Sequence, residues 1–353
     1  MTLLNLPPDT ELETPSVLRE LVAAHRSLAE LKGIAKSIPN ENILVSTLSL
    51  QEAQSSSEIE NIITTQDALY KYQLQPSKDL VAKEVAHYAE GLQIGFQQVR
   101  NTGFLTNNNI LQIQATLEGN DAGFRKTPGT LLKNEQTGKT VYEPPSPEKI
   151  PDLMTALETF IHEDSKLDPL IRMALVHHQF ESIHPFYDGN GRTGRIINIL
   201  FLVKEDLLET PILYLSRYIN KTKSDYYRLL QTVRDEQNWD DWLIYLLRGV
   251  ALTAKDTIRL VTSIHELLLR HKEDIRSNYK FYSQDLINTI FRHPYTKVAF
   301  LEKEMKVSRA TATRYLDALA KDNILEKHKL GRENYYINHD LVDLLFNLPD
   351  LNG

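Results

Sequence analysis

The sequence predicts a mainly α-helical protein. A lone β-hairpin interrupts its helical body, and a winged helix-turn-helix closes its C-terminus. Three observations predict this. Apolar residues recur at 3.6-residue spacing along most of the 353 residues. Residues 119–147 break that spacing and are rich in Gly, Pro, Asn and Thr. Residues 280–353 carry 11 Lys+Arg and 10 Asp+Glu, a net of +1, while the rest of the chain carries 29 against 37, or −8. An acidic body with a near-neutral tail suggests two units with different partners.

Composition narrows the class further. At 41% apolar and 25% charged residues, the chain is typical of folded globular proteins. It has no cysteine, which excludes a disulfide scaffold, a thiolate metal site and a cysteine nucleophile. A net charge of −7 argues against nucleic-acid binding by the whole chain. The first residues lack the basic and apolar regions of a secretory signal. No apolar run approaches the ~20 residues of a membrane span. The expectation is a cytoplasmic protein with no membrane contact.

Taken in order, Thr14 and Pro15 suit the N-cap and first turn of a helix whose face is Val17, Leu18, Leu21, Val22, Leu28, Leu31 and Ile34. Helical spacing follows at 43–54. A third helix is expected to start in the serine run 55–57, where Ser57 and Glu60 fit a capping box. Longer helices are expected at 80–100 and 110–118. Within the irregular stretch, 130–142 reads as two short strands around a turn at 135–138. An isolated hairpin is marginal alone. It either leans on the body beside something functional or is an ordinary surface loop. Helices resume at 151–163 and 169–181, break at 182–191, restart at Arg192, and continue at 223–234 and 239–271. The last boundary falls near 278–285. This gives an N-terminal extension (1–79), a core (80–278) and a C-terminal unit (279–353).

The break carries the chemistry. Residues 182–195 read Ser-Ile-His-Pro-Phe-Tyr-Asp-Gly-Asn-Gly-Arg-Thr-Gly-Arg. Gly189, Asn190 and Gly191 all tolerate positive φ, so they can form a nest of N–H donors. The next helix adds its unpaired N-terminal amides. Arg192 and Arg195 share a face of that helix, and two guanidiniums above an amide nest suit a polyphosphate. Asp188 precedes the nest as a hard ligand for Mg²⁺. His184 stands at its mouth as a proton acceptor. Any one of these residues fits a helix corner with a capping Asp and solvated arginines. Their convergence within twelve residues favours a site.

Residues 184–195 resemble the Fic family signature, His-x-Phe-x-Asp/Glu-Gly-Asn-Gly-Arg-x-x-Arg, without departure. The resemblance implies a Fic core preceded by a helical extension. It implies AMP transfer from ATP to a protein Ser, Thr or Tyr hydroxyl, on this chain or another, with Mg²⁺ bound and pyrophosphate leaving. Under it, His184 is the general base and Phe186 anchors the loop. Asp188 holds Mg²⁺ between the α- and β-phosphates. Gly189, Asn190 and Gly191 cradle phosphate, Arg192 reaches the β-phosphate region and Arg195 the γ-phosphate, with Thr193 and Gly194 completing the ATP-binding segment. The hairpin at 127–142 resembles the family's flap, which holds a target by strand addition. Tyr227, with Lys221 upstream, would contact adenine; the other reading of Tyr226 and Tyr227 is amphipathic packing. Some relatives have Asn where Arg234 falls. Ser56-x-x-x-Glu60-Asn61 resembles the inhibitory motif of the subclass with an N-terminal inhibitory helix, where Glu60 would pair with Arg195 in place of the γ-phosphate.

At the C-terminus, Ser308 is a plausible N-cap for a helix at 309–321, followed by strands at 324–329 and 334–337 around a turn at 330–332. This resembles a winged helix-turn-helix, with Arg309 and Arg314 on the recognition helix and Lys327, Lys329 and Arg332 on the wing. DNA contact stays open, as does protein docking or support of a homodimer. Two rivals to adenylyl transfer also remain. One is a Fic-fold transferase of another phosphate-containing group; the other is a winged-helix DNA regulator with an inactive Fic core.

Overall fold

The computed structural model describes residues 6–76, 78–133, 138–331 and 333–347. The expected hairpin turn at 135–137 and Arg332 lie outside them. Within the expected N-terminal extension lie α1 (Pro15–Ala35), α2 (Glu41–Ile59) and α3 (Gln66–Leu74). Within the expected core lie α4 (Leu80–Thr102), α5 (Asn107–Glu118), strands β1 (Leu132–Lys133) and β2 (Thr140–Tyr142), α6 (Ile150–His162), α7 (Pro169–Ile183), α8 (Asn190–Lys204), α9 (Leu215–Lys221), α10 (Lys223–Glu236) and α11 (Trp239–Asn278). Within the expected C-terminal unit lie α12 (Gln284–Arg292), β3 (Tyr295–Lys297), α13 (Val298–Met305), α14 (Arg309–Lys321), β4 (Glu326–Leu330), β5 (Glu333–Ile337) and α15 (His339–Phe346). Its three strands are antiparallel in the order β3-β5-β4.

The expected caps close several helices. Thr14 accepts from the Val17 amide and Ser308 from the Thr311 amide. The helices α7 and α8 form the centre: every residue from Leu170 to Ile183 is buried, so α7 shows no polar face. Gly194 permits the close approach of α8 to α7, because a Cβ there would meet Phe180 at 3.1 Å. Around this pair, α1 lies along α11, while α2 packs on α4 and α9. No described helix is long and apolar enough to cross a membrane.

The structure corrects three local expectations. The serine run does not start a helix. It lies in the last turns of α2, one helix from Glu41 to Ile59, and the Ser57–Glu60 capping box is not formed. Ser56 and Ser57 are buried, so their small side chains serve close packing rather than initiation. Glu60 is instead the C-cap, and Asn61 at φ 61° ends the helix in the left-handed conformation. The central helix starts at Asn190, two residues before Arg192, because Gly189 at φ 76° already turns the chain. Of the three nest residues, only Gly189 has positive φ. The spacing also does not predict α9, β3 or α15, which are too short for a periodic signal.

Candidate active site

The site is built where α7 stops and α8 begins. His184 caps α7 in the left-handed conformation, φ 49°, and its amide donates to Phe180 O at 3.0 Å. Phe186 turns inward, fully buried against Phe124 and Phe180. Asn190 staples the loop: its Oδ1 accepts from the Phe186 amide at 2.8 Å and its Nδ2 donates to Phe186 O at 2.9 Å. Asn190 is therefore a brace within the loop as well as the first residue of α8. Asp188 is exposed, with Oδ1 accepting from the Gly189 amide at 2.7 Å.

A second residue fixes the loop from outside. Arg125 Nε donates to His184 O at 2.8 Å, and its Nη2 donates to Pro145 O. Its amide also donates to Pro185 O at 2.8 Å. Pro145 follows the hairpin, so one guanidinium ties the hairpin base to the loop. On the other side, Arg234 stacks over the Tyr142 ring at 4.0 Å and donates to Ser182 Oγ at 3.0 Å. Tyr142 donates to Ser182 O at 3.0 Å. Burial, then the charges of Arg125 and Arg234, lower the His184 pKa from 6.5 to about 4. His184 is a neutral imidazole across the physiological range, with Nδ1 buried and unpartnered among the described residues.

Both signature arginines are buried and held by carboxylates. Arg192 donates to Glu84 at 2.6 Å and to Glu118 at 2.8 Å. Arg195 donates from Nε to Ser56 Oγ at 2.8 Å, and from Nη2 to Ser56 O at 2.9 Å and Glu60 Oε1 at 2.7 Å. Burial is the largest influence on Arg195 and opposes its charge, but Glu60 together with the hydroxyls of Tyr226, Tyr88 and Tyr227 more than offsets it and holds the pKa above the ordinary value. Glu60 also faces the turn: a Cβ on Gly191 would lie 2.4 Å from its Oε1, so the carboxylate occupies the space that glycine leaves open. Asn61 accepts from Lys223 Nζ at 3.2 Å. The expected residues Ser56, Glu60, Gly191 and Arg195 thus meet at one point, although 139 positions separate Ser56 from Arg195.

Other expected residues lie at the margin. Thr193 is buried inside α8. Lys221 ends α9, and Tyr227 is partly exposed on α10 against the edge of Tyr226. Tyr226 is the packing residue: it is buried, with its hydroxyl 2.9 Å from His177 Nε2. On the buried side of α2 lies Glu52, which no sequence signal marks. It is buried and accepts from the Ser216 amide at 3.1 Å, from Tyr88 at 3.2 Å, and from the Ser216 hydroxyl. Burial raises its pKa to about 7, against these hydrogen bonds and the Arg195 charge. Glu181, also buried, is raised to about 7 for the same first reason. Arg125, Glu84, Glu118 and Glu52 carry no local motif. Only the folded chain reveals them.

The donor set fits a magnesium nucleotide. Asp188 offers a hard, solvent-facing carboxylate oxygen. Arg192 Nε is buried without a partner among the described residues, and both guanidiniums now face anionic oxygens.

Residues 104–202 match the Fic/DOC family, residues 18–97 its N-terminal family, and residues 267–349 the C-terminal domain of SoFic-like protein adenylyltransferases. A probable protein adenylyltransferase of Aquifex aeolicus is 34% identical over 79 residues, 22% of this chain and 25% of that protein. The protein adenylyltransferase fic-1 of Caenorhabditis elegans is 34% identical over 65 residues, 18% of this chain and 13% of that protein. The matches thus span a quarter or less of these relatives' length. A Fic family protein from Desulfovibrio desulfuricans G20 shares the fold, with a TM-score of 0.58 at 19% identity, over 94% of this chain and 98% of that one. The chain is therefore a Fic-domain protein, related to known Fic adenylyltransferases and carrying a distinct C-terminal Fic-associated domain.

Proposed function

We propose that this protein transfers AMP from ATP to a protein Ser, Thr or Tyr hydroxyl, and that Glu60 restrains it. The observation that carries the reading is the contact of Glu60 with both Arg195 and the space above Gly191. A carboxylate there occupies the kind of anion site that a terminal phosphate needs. The related adenylyltransferases support the reaction class.

In this reading, Gly189, Asn190, Gly191, Arg192, Thr193, Gly194 and Arg195 hold the triphosphate. Arg192 and Arg195 exchange carboxylate for phosphate oxygens. Asp188 would hold Mg²⁺, which would neutralise phosphate charge. The target hydroxyl attacks the α-phosphorus, His184 takes its proton, and the bond to the α,β-bridging oxygen breaks to release pyrophosphate. A neutral imidazole is the form that accepts a proton, and its environment favours that form. Most of the catalysis is positioning and charge stabilisation.

The target segment would lie along β1 and β2, whose Leu131 and Val141 flanks are exposed. Tyr227 and Lys221 would border the adenine. On the C-terminal unit, Arg309 is 3.7 Å from Glu333 and Lys327 is 2.6 Å from Asp317. These pairings weaken the basic surface that DNA would need and favour a protein-facing role, including support of a homodimer. Intact-mass analysis after incubation with Mg·ATP tests the reading: an added AMP on this chain or a co-incubated protein is expected. Transfer of a different phosphate-containing group, or of none by the Glu60→Gly variant, would overturn it.

A further inference from the structure

The C-terminal unit gathers three metal-ligating side chains around one point. Glu326 and His328 are two residues apart on β4, so they project from the same face. Glu326 pairs in register with Ile337, the last residue of β5. Only Asn338 separates Ile337 from His339, the first residue of α15. Asn338 is buried and fixed on three sides. Its amide donates to Pro294 O at 2.9 Å, its Oδ1 accepts from the Leu341 amide at 3.2 Å, and its Nδ2 donates to Ile290 O at 3.3 Å. This turn brings His339 back over the start of β4.

One potential ligand atom from each of Glu326, His328 and His339 lies within 4.8 Å of the other two. His328 Nε2 is 2.8 Å from Glu326 Oε1, and His339 Nε2 contacts Glu326 Oε2. Stacking on Tyr335, its partner across the strands, sets the plane of the His328 ring. His328 Nε2 is nonetheless shielded from water and has no hydrogen-bond partner among the described residues. The nearby carboxylate lies off the direction in which a ring N–H would donate. A simple ion pair leaves that geometry unexplained, whereas a shared ligand between the three groups accounts for it.

We propose that Glu326, His328 and His339 bind one divalent transition-metal ion, with zinc the best match. Two imidazole nitrogens and one carboxylate oxygen form a donor set that zinc takes, leaving a fourth position for water. Calcium and magnesium prefer oxygen ligands alone. The ion would cross-link β4 to α15. The next residue of α15, Asp340, pairs with Arg270 at 2.6 Å and lies 3.3 Å from His271, both on α11. Occupancy would therefore stiffen the joint between the wing and the core. The site is separate from the candidate active site, and its test does not depend on adenylyl transfer.

The test is calorimetric titration of the metal-free full chain with ZnCl₂, alongside Glu326→Gln, His339→Gln and the double variant His328→Gln/His339→Gln. Circular dichroism without metal confirms that each variant is folded. Wild type is expected to show one tight zinc site per chain, each single variant to weaken it at least tenfold, and the double variant to lose it. Co²⁺ should give wild type the visible absorption of a four-coordinate site, and should not do so for the double variant. His339 is exposed, so its single substitution keeps the test decisive if the double variant fails to fold. Zinc affinity equal in wild type and His339→Gln, or no four-coordinate Co²⁺ spectrum in wild type, would overturn the proposal.

Discussion

Replacing Glu60 with glycine separates the two roles this residue can have. The side chain is about one-third exposed and donates nothing; it accepts one charge-assisted bond from Arg195 Nη2 at 2.7 Å. Arg195 keeps both bonds to Ser56 in the variant, so its guanidinium stays in place. The backbone cost is small. Glu60 sits at φ −90°, ψ 16°, open to any residue, and glycine there costs about 0.5–1 kcal/mol in chain entropy. That corresponds to a melting shift of about 1 °C in a chain of this size. The gain to a competing phosphate is larger. A hydrogen bond to a charged group contributes about 1.5–3 kcal/mol, or roughly 10- to 150-fold in an equilibrium. Partial solvent screening favours the lower half of that range, about 10- to 30-fold. The assay is labelled AMP incorporation by wild type, Glu60→Gly, Glu60→Gln and Arg195→Ala. Glu60→Gly should be the fastest. Glu60→Gln, which keeps an acceptor without the charge, should be intermediate. Arg195→Ala should not be activated, because it loses the phosphate ligand as well. Glu60→Gly no faster than wild type would refute the inhibitory contact and leave Glu60 as a helix terminus only.

Four further outcomes are expected. His184→Ala should lose about 10²- to 10⁴-fold in transfer rate while ATP affinity by calorimetry holds; near-normal transfer would remove His184 as base. Because the His184 pKa is lowered to about 4, the acid limb of the Glu60→Gly rate profile should fall near pH 4, and a limb near 6.5 would contradict the burial argument. Stability should fall as pH drops from 6.5 to 4.5 and more steeply below that. His177, His178, His184 and His293, at about 3, 3, 4 and 4, bind protons less readily folded than unfolded, whereas Glu52 and Glu181, at about 7, oppose them only above about 4.5; thermal melts across pH read this directly, and a flat curve would speak against it. Arg125→Met should speed hydrogen exchange in the segment after β2 and slow transfer, and Arg125→Lys should not restore either, since one ammonium cannot bridge His184 O and Pro145 O.

What the sequence revealed follows from how far apart the cooperating residues stand. The loop from His184 to Arg195 is contiguous, so its glycines, base and arginines are legible as one site. The groups that hold it are remote: Arg125 lies 59 positions from His184, and Ser216 lies 164 from Glu52. No local pattern marks such partners, and an isolated Arg or Glu in a helical sequence reads as a solvated charge. The serine run shows the opposite failure. Three serines before an acidic residue are a strong local signal for a helix start. Here tertiary packing overrides it, because Ser56 is needed as a small acceptor beneath Arg195. Short elements such as β3 and α15 escape for a different reason. Three to eight residues give too few apolar repeats to define a period.

If Glu60 restrains the site as proposed, the position of α2 determines what its release requires. This helix is not a free arm laid over the site. Glu52 ties it to α9 through Ser216 and to α4 through Tyr88. Its opposite side meets the C-terminal unit: Ser46 Oγ donates to Arg292 O at 3.0 Å and Gln51 Nε2 to Leu345 O at 3.2 Å. Thirteen of its residues are buried, so lifting the whole helix would expose a large apolar surface, at about 25 cal/mol for each Å². That cost exceeds what one or two phosphate contacts return. The end of the helix is different. Asn61 stands in the left-handed conformation just beyond Glu60, and the Glu60 side chain is the part of the contact that solvent reaches. Moving that carboxylate requires rotation about its own side-chain bonds and loss of its bond to Arg195, while the Asn61 and Ile62 amides keep the helix end closed on Glu58 O and Ser57 O. The economical route to an open site is therefore a local movement of the Glu60 side chain, with α2 staying where the core and the C-terminal unit hold it.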